Sequence, residues 1–217
     1  MTQNLLLETI PLTHTSVSLY VPEPTHVKAL YQLQLNTDTS TPFPYWSQIW
    51  PAAIAMAEFL ALNPCFIHNK TVLELASGLG LPSLVAAKVA KEVYCTDYLP
   101  EAITVIEKSV AFNKLKNMRG GLLDWNKLPT PLPLAEVVLL SDINYNPADF
   151  DSLYQVLKDF LQQGSTLLLT TPQRLLAKPF IEMLLPWCQQ KKELEIVRNG
   201  VVVPITFLVL ALEISKE

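Results

Sequence analysis

Glu74, Gly78, Gly80 and Asp97 follow one another as the parts of a nucleotide-binding turn do. The run Thr71-Val72-Leu73-Glu74-Leu75-Ala76-Ser77-Gly78-Leu79-Gly80-Leu81-Pro82 reads as a short buried strand, an acid near its end, a Gly-x-Gly turn and a helix start. Without a Cβ, such glycines let the backbone approach a ligand closely. Pro82 suits a first helical turn, where its missing N–H would be unpaired anyway. Asp97 follows Glu74 at the spacing such an acid takes, about 20 residues. Its carboxylate can accept two hydrogen bonds from vicinal ribose hydroxyls. Ser83 occupies the third glycine place of the dinucleotide pattern. The same parts serve NAD and S-adenosylmethionine, and spacing alone leaves both open.

Two further strand exits carry chemistry. Asp124-Trp125 can offer a carboxylate to an adenine amino group and a ring to the adenine face. Ser141-Asp142-Ile143-Asn144-Tyr145 adds a serine, an acid and a phenol. Each residue also permits a plainer role. Glu74 suits capping the next turn and Asp97 capping the helix over 101–113. Asp142 suits capping a helix near Ala148, and Trp125 and Tyr145 suit packing on the rim. Convergence of all four exits on one rim favours a binding site.

Positioning these residues requires strands that end together. The pattern predicts strands over 71–75, 92–96, 120–123, 136–141 and 166–171. Helices are expected over 82–90, 101–113 and 149–163. In the second of these, Ile103, Ile106 and Val110 share a face at helical spacing. Alternating strands and helices imply a mostly parallel, doubly wound sheet with helices on both faces. The continuous apolar run of 136–141 fits a strand buried on both faces. Segments 194–197 and 205–214 are expected to close the sheet as an antiparallel pair. Before the core, 5–11 and 16–21 predict a hairpin across Leu12-Thr13-His14-Thr15. A short helix over 27–35, a loop over 36–44 and a helix over 52–62 follow. The expected division is an extension over 1–45 and a core over 46–217 within one structural unit.

Half of the 217 residues are hydrophobic and 17% are charged, which points to one well-packed globular body. A net charge of −4 and the lack of a basic stripe argue against nucleic-acid binding. Lys191-Lys192 reads as a solvated helix end. No signal peptide or membrane-spanning run is evident. Cys65, Cys95 and Cys188 stand far apart, and His14, His26 and His68 have no ligand spacing. These features fit a cytoplasmic protein without a disulfide framework or a metal, and a monomer is expected.

Glu74 through Gly80, Asp97, Asp124-Trp125 and Asp142-Ile143-Asn144-Tyr145 resemble the motifs of the seven-β-strand S-adenosylmethionine-dependent methyltransferases. More narrowly, Asp-x-x-Tyr after the fourth core strand is similar to the mark of a protein-lysine methyltransferase group. That group acts on electron-transfer flavoprotein β subunit, calmodulin, chaperones and translation factors. Trp50-Pro51 resembles the group's Trp-Pro motif before the helix preceding the first core strand. The resemblance covers residues 46–154. It implies a Rossmann-like, mostly parallel seven-stranded sheet with S-adenosylmethionine held by Trp50, Glu74, Ala76, Ser77, Gly78, Gly80, Asp97, Tyr98, Asp124, Trp125 and Ser141. It further implies that Asp142 captures and orients the ammonium of a protein lysine, while Tyr145 lines its channel, with Trp46 and Phe43 as further walls. A small-molecule N-methyltransferase and a non-catalytic cofactor-binding scaffold are the alternatives. Ala76 departs from the pattern, which has glycine there. A negative φ would make its methyl cheap, and a positive one would cost about 1 kcal/mol or more.

Overall fold

The computed structural model describes residues 4–212. A hairpin of β1 (Leu5–Leu12) and β2 (Thr15–Pro22) comes first, followed by α1 (Pro24–Thr37) and α2 (Pro51–Leu62). The core then alternates: β3 (Thr71–Leu75), α3 (Leu81–Ala86), β4 (Glu92–Asp97), α4 (Pro100–Phe112), β5 (Met118–Leu122), β6 (Val137–Ser141), α5 (Phe150–Gln162) and β7 (Thr166–Pro172). It closes with α6 (Lys178–Leu184), β8 (Cys188–Arg198) and β9 (Val201–Leu210).

The seven core strands lie in the order β5-β4-β3-β6-β7-β9-β8. All neighbours pair in parallel except β7 with β9 and β9 with β8. The expected sheet is therefore present, with its antiparallel closure. Strand order reverses between β3 and β6, so the chain leaves these two central strands in opposite directions and opens a crevice at their carboxyl ends.

Alternation along the strands feeds two cores. Val72, Val93, Val137, Leu139 and Leu168 pack with Met56 and Leu60 of α2 and with Val105 and Ile106 of α4. Their neighbours Leu73, Val138, Leu140, Leu167 and Leu169 face the other way, onto Leu153, Leu157 and Phe160 of α5 and Phe180 of α6. The hairpin joins the first core through Val17, Leu19 and Val21. Polar ties lock it there: the Ser109 hydroxyl accepts from Tyr20 N–H at 2.9 Å, and the Asn113 amide donates to the Ser18 carbonyl at 2.7 Å.

Several boundaries differ from expectation. The first core helix ends at Ala86 rather than at residue 90, because Lys88 and Val89 bond to carbonyls three residues back and tighten the exit into β4. Helix α1 is longer than 27–35 because the Glu23 carboxylate caps it, accepting from Thr25 and His26 N–H. Lys191 and Lys192 lie in β8, not at a helix end. That strand is the edge of the sheet, where charged side chains are compatible with extended backbone. Helix α6 falls in a stretch broken by Pro179 and Pro186, and Pro179 is tolerated because it sits in the first turn. The last residues of the strand expected over 205–214 lie outside the described residues. No described helix is long and apolar enough to cross a membrane.

Candidate active site

Strand β3 delivers the chain into the crevice at Ala76. Three of the next five residues are left-handed: Ala76 at φ +49°, Gly78 at +56° and Gly80 at +70°. The glycines are forced. A Cβ on Gly78 would stand 3.2 Å from the Trp46 carbonyl oxygen, and one on Gly80 would stand 2.6 Å from Cys95 Sγ. Ala76 bears a methyl in the same region, so the departure seen in the sequence is a strained position. Its αL geometry lets the turn fold back over β4, with Ser77 N–H bonded to the Thr96 carbonyl at 2.9 Å.

Two acids hold this turn from behind and beside. Glu74 is fully buried, and its Oε2 accepts from Ser83 N–H at 3.0 Å and from Ser83 Oγ at 2.5 Å. Oε1 has no partner among the described residues, and burial lifts the carboxyl from its ordinary 4.5 to about 8. A carboxyl in that range keeps its proton at neutral pH, which avoids burying an incompletely partnered charge. Asp97 ends β4. Its Oδ2 accepts from Gly78 N–H at 2.9 Å and Oδ1 from Leu99 N–H at 3.1 Å, which ties the glycine turn to the neighbouring strand. Burial also raises Asp97, against these stabilising N–H donors.

The second central strand, β6, ends at Ser141, and Asp142 follows with φ +57°. Aspartate tolerates this region better than most residues because its short polar chain bonds locally. Here the Asp142 N–H bonds to the Thr170 carbonyl at 2.8 Å, while its carboxylate meets Arg174. Nη1 donates to Oδ1 at 2.5 Å and Nη2 to Oδ2 at 2.8 Å, a fork-to-fork pair. Burial raises Asp142, and the Arg174 guanidinium acts against that shift. Asp142 does not cap the following helical turn; the Asn146 side chain accepts from Ala148 N–H there.

These parts open on one cavity of about 540 Å³. It is lined by Trp50, Ala76, Ser77, Gly78, Gly80, Asp97, Tyr98, Ser141, Asp142 and Tyr145, all anticipated from sequence, and by the suggested walls Phe43 and Trp46. Tyr45, Gln48, Leu79 and Arg174 also line it, and none of these four was assigned a role of its own from the sequence. Aromatic rings cover one side. Tyr45 lies 5.1 Å from Phe43, 5.9 Å from Trp50 and 5.7 Å from Tyr145, and Trp50 Nε1 donates to the Tyr45 carbonyl at 2.8 Å. The size and the mostly apolar wall suit a small organic ligand, for which cavities of roughly 300–1,000 Å³ are usual.

Three expected site residues stand off the cavity wall. Glu74 lies behind the turn. Asp124 accepts from Asn126 N–H at 3.0 Å, and Trp125 packs with the core on the α5 face. Arg174 carried no motif. Its one signal was its place just beyond the carboxyl end of a core strand, on the same rim as the others.

A lysine methyltransferase family model matches residues 28–187. The human histone-arginine methyltransferase METTL23 is 30% identical over 110 residues, covering 48% of this chain and 58% of that protein. The mouse electron transfer flavoprotein beta subunit lysine methyltransferase is 31% identical over 134 residues, covering 60% and 51%. The chain thus spans about half the length of the curated relatives it matches. Among solved structures, SMU.776, crystallised with SAH, superposes with a TM-score of 0.62 at 13% identity over 94% of this chain and 56% of that one. At that identity the likeness speaks for the fold alone.

Proposed function

From the premise that this chain belongs to the lysine methyltransferase family, we propose that it transfers a methyl group from S-adenosylmethionine to the ε-amine of a lysine in a protein. The observation that carries this reading is the single cavity on which the glycine turn, Asp97 and the Asp142–Tyr145 exit all open.

The residues fit the cofactor. The lack of a Cβ on Gly78 keeps the turn open beside the Trp46 carbonyl, Ser77 Oγ has no hydrogen-bond partner among the described residues, and Asp97 keeps lone pairs on both oxygens for hydroxyl donors. When bound, the cofactor supplies a methyl already activated by a positively charged sulfur. The chain's own work is then positioning and exclusion of water. The glycine turn and Asp97 hold the nucleoside side, with Trp50 and Tyr98 as walls. Tyr145 and Tyr45 line the acceptor side with ring faces that favour the positive charge developing on the nitrogen as the methyl arrives. An unperturbed lysine, near pKa 10.4, is mostly protonated and cannot attack. Desolvation among these rings pushes it toward the neutral amine.

A protein acceptor is supported over nucleic acid by the net charge of −4. The unpaired thiols Cys65, Cys95 and Cys188 support a cytoplasmic setting. The monomer is the proposed working unit, because one chain lines the whole cavity. Within the proposed extension over 1–45, the described residues from 4 onward are proposed to pack with the core and to supply one wall through Phe43 and Tyr45. Titration calorimetry with S-adenosylhomocysteine tests the donor half of the reading. Saturable binding weakened by Gly78→Val is expected; no binding would sink it.

A further inference from the structure

The cavity receives one cationic side chain from the described residues, Arg174, and it is spent on Asp142. The pair is built. Asp142 is held by backbone at φ +57° with its side chain 8% exposed, while Arg174 reaches it from beyond β7 with 39% exposure. The other titratable groups facing this space are Tyr145 on the same loop, Tyr45 before α2, Asp97 at the end of β4 and Tyr98 just after it, while on its other side Arg174 borders a hollow shared with Lys178 of α6 and Lys191 and Glu193 of β8. Both oxygens of Asp97 accept backbone N–H groups on the glycine-turn side. Asp142 was expected to capture the ammonium of the incoming lysine, yet both of its oxygens already face a guanidinium.

Resting on the reading of this cavity as a methyl-donor and acceptor site, we propose that Arg174 is a positioning residue. By neutralising Asp142 it leaves the acceptor end without a free carboxylate, so the site receives the acceptor amine in its neutral, nucleophilic form. A free carboxylate beside the amine would stabilise the ammonium and hold its proton on, leaving no lone pair for the new C–N bond. The paired carboxylate exerts little net field, and the extra proton is lost to water before the amine enters. Arg174 thereby trades tight capture of a cation for a reactive acceptor.

Sinefungin tests this without knowledge of the acceptor. In this analogue of S-adenosylmethionine an amine-bearing carbon replaces the methylsulfonium, so it presents an amine where the acceptor end begins. Its affinity is measured by calorimetry against that of S-adenosylhomocysteine, which has no such amine, and each variant serves as its own reference. Measurements run from about pH 7 to 9, and because both ligands are read at each pH, the titration of Glu74 at about 8 behind the glycine turn is common to both and leaves the ratio unchanged. In the wild-type chain the sinefungin preference should rise with pH as the neutral amine becomes populated. Arg174→Met frees Asp142, so the preference at pH 7 should grow about tenfold, the change that one unit of amine pKa represents, and its pH trend should reverse. Arg174→Lys should restore the wild-type trend, and Asp142→Asn should lower the preference at pH 7. The same preference and trend in wild type and Arg174→Met would overturn the proposal. Failure of the wild-type chain to bind S-adenosylhomocysteine would overturn the cofactor reading itself.

Discussion

Glu74→Gln should flatten the dependence of stability on pH. In the folded chain this carboxyl titrates at about 8, against an ordinary 4.5. Between those values the folded state holds a proton that the unfolded state has released. Binding more protons when folded means that stability falls as pH rises. The contribution is complete below 4.5 and is lost as pH climbs through about 8. One proton of difference sets a slope of at most about 1.4 kcal/mol per pH unit inside that window. Glutamine keeps the shape and can still accept from Ser83 N–H and Oγ, but it does not titrate. Asp97 and Asp142, both raised by burial, add slopes of the same sign in both proteins and drop out of the difference. Urea unfolding followed by tryptophan fluorescence at about pH 5.5, 6.5 and 7.5 reads the two slopes. The wild-type curve should fall more steeply by about 1 kcal/mol per unit. Parallel curves would show that Glu74 titrates near its ordinary value, and the account of its burial would be refuted.

Three other substitutions probe the rim. Gly80→Ala should cost about 2 kcal/mol or more, from left-handed strain plus overlap with Cys95 Sγ; adding Cys95→Ala should recover the steric part, and an equal loss in both backgrounds would argue against it. Ala76→Val should lower stability by about 1–2 kcal/mol, since a β-branched chain at φ +49° is worse placed than alanine; an unchanged denaturation midpoint contradicts the strain. Asp97→Asn removes the charge that accepts from Gly78 and Leu99 N–H, so calorimetry should find S-adenosylhomocysteine bound about tenfold more weakly, about 1.4 kcal/mol. An unchanged affinity would remove Asp97 from the nucleoside side.

What was legible in the chain was whatever local pattern dictates. The strand over 71–75 stands where its apolar run placed it, because burial on both faces leaves little freedom at its ends. The glycine turn was legible because left-handed backbone selects glycine, and Ala76 because it breaks that rule. Edge strand β8 was legible only over 194–197, since Lys191 and Lys192 carry no apolar alternation on a solvated edge. Arg174 was hidden for a different reason. Its partner, Asp142, lies 32 positions away in the chain, and the pair exists only because β6 and β7 are neighbours in the sheet. The plainer role foreseen for Glu74 is present in the cap on Ser83, whereas those foreseen for Asp97 and Asp142 are not: Leu99 precedes α4 with no side-chain cap, and Asn146 caps the turn after Asp142.

Whether this cavity joins a methyl donor to a lysine is tested most directly by mass spectrometry of a lysate incubated with the chain and S-adenosylmethionine carrying a trideuterated methyl. The expected result is a labelled protein with the deuterated methyl on a lysine ε-nitrogen, absent when S-adenosylhomocysteine is added in excess. Label on arginine, label confined to metabolites, or no label from a chain that binds the cofactor would contradict it.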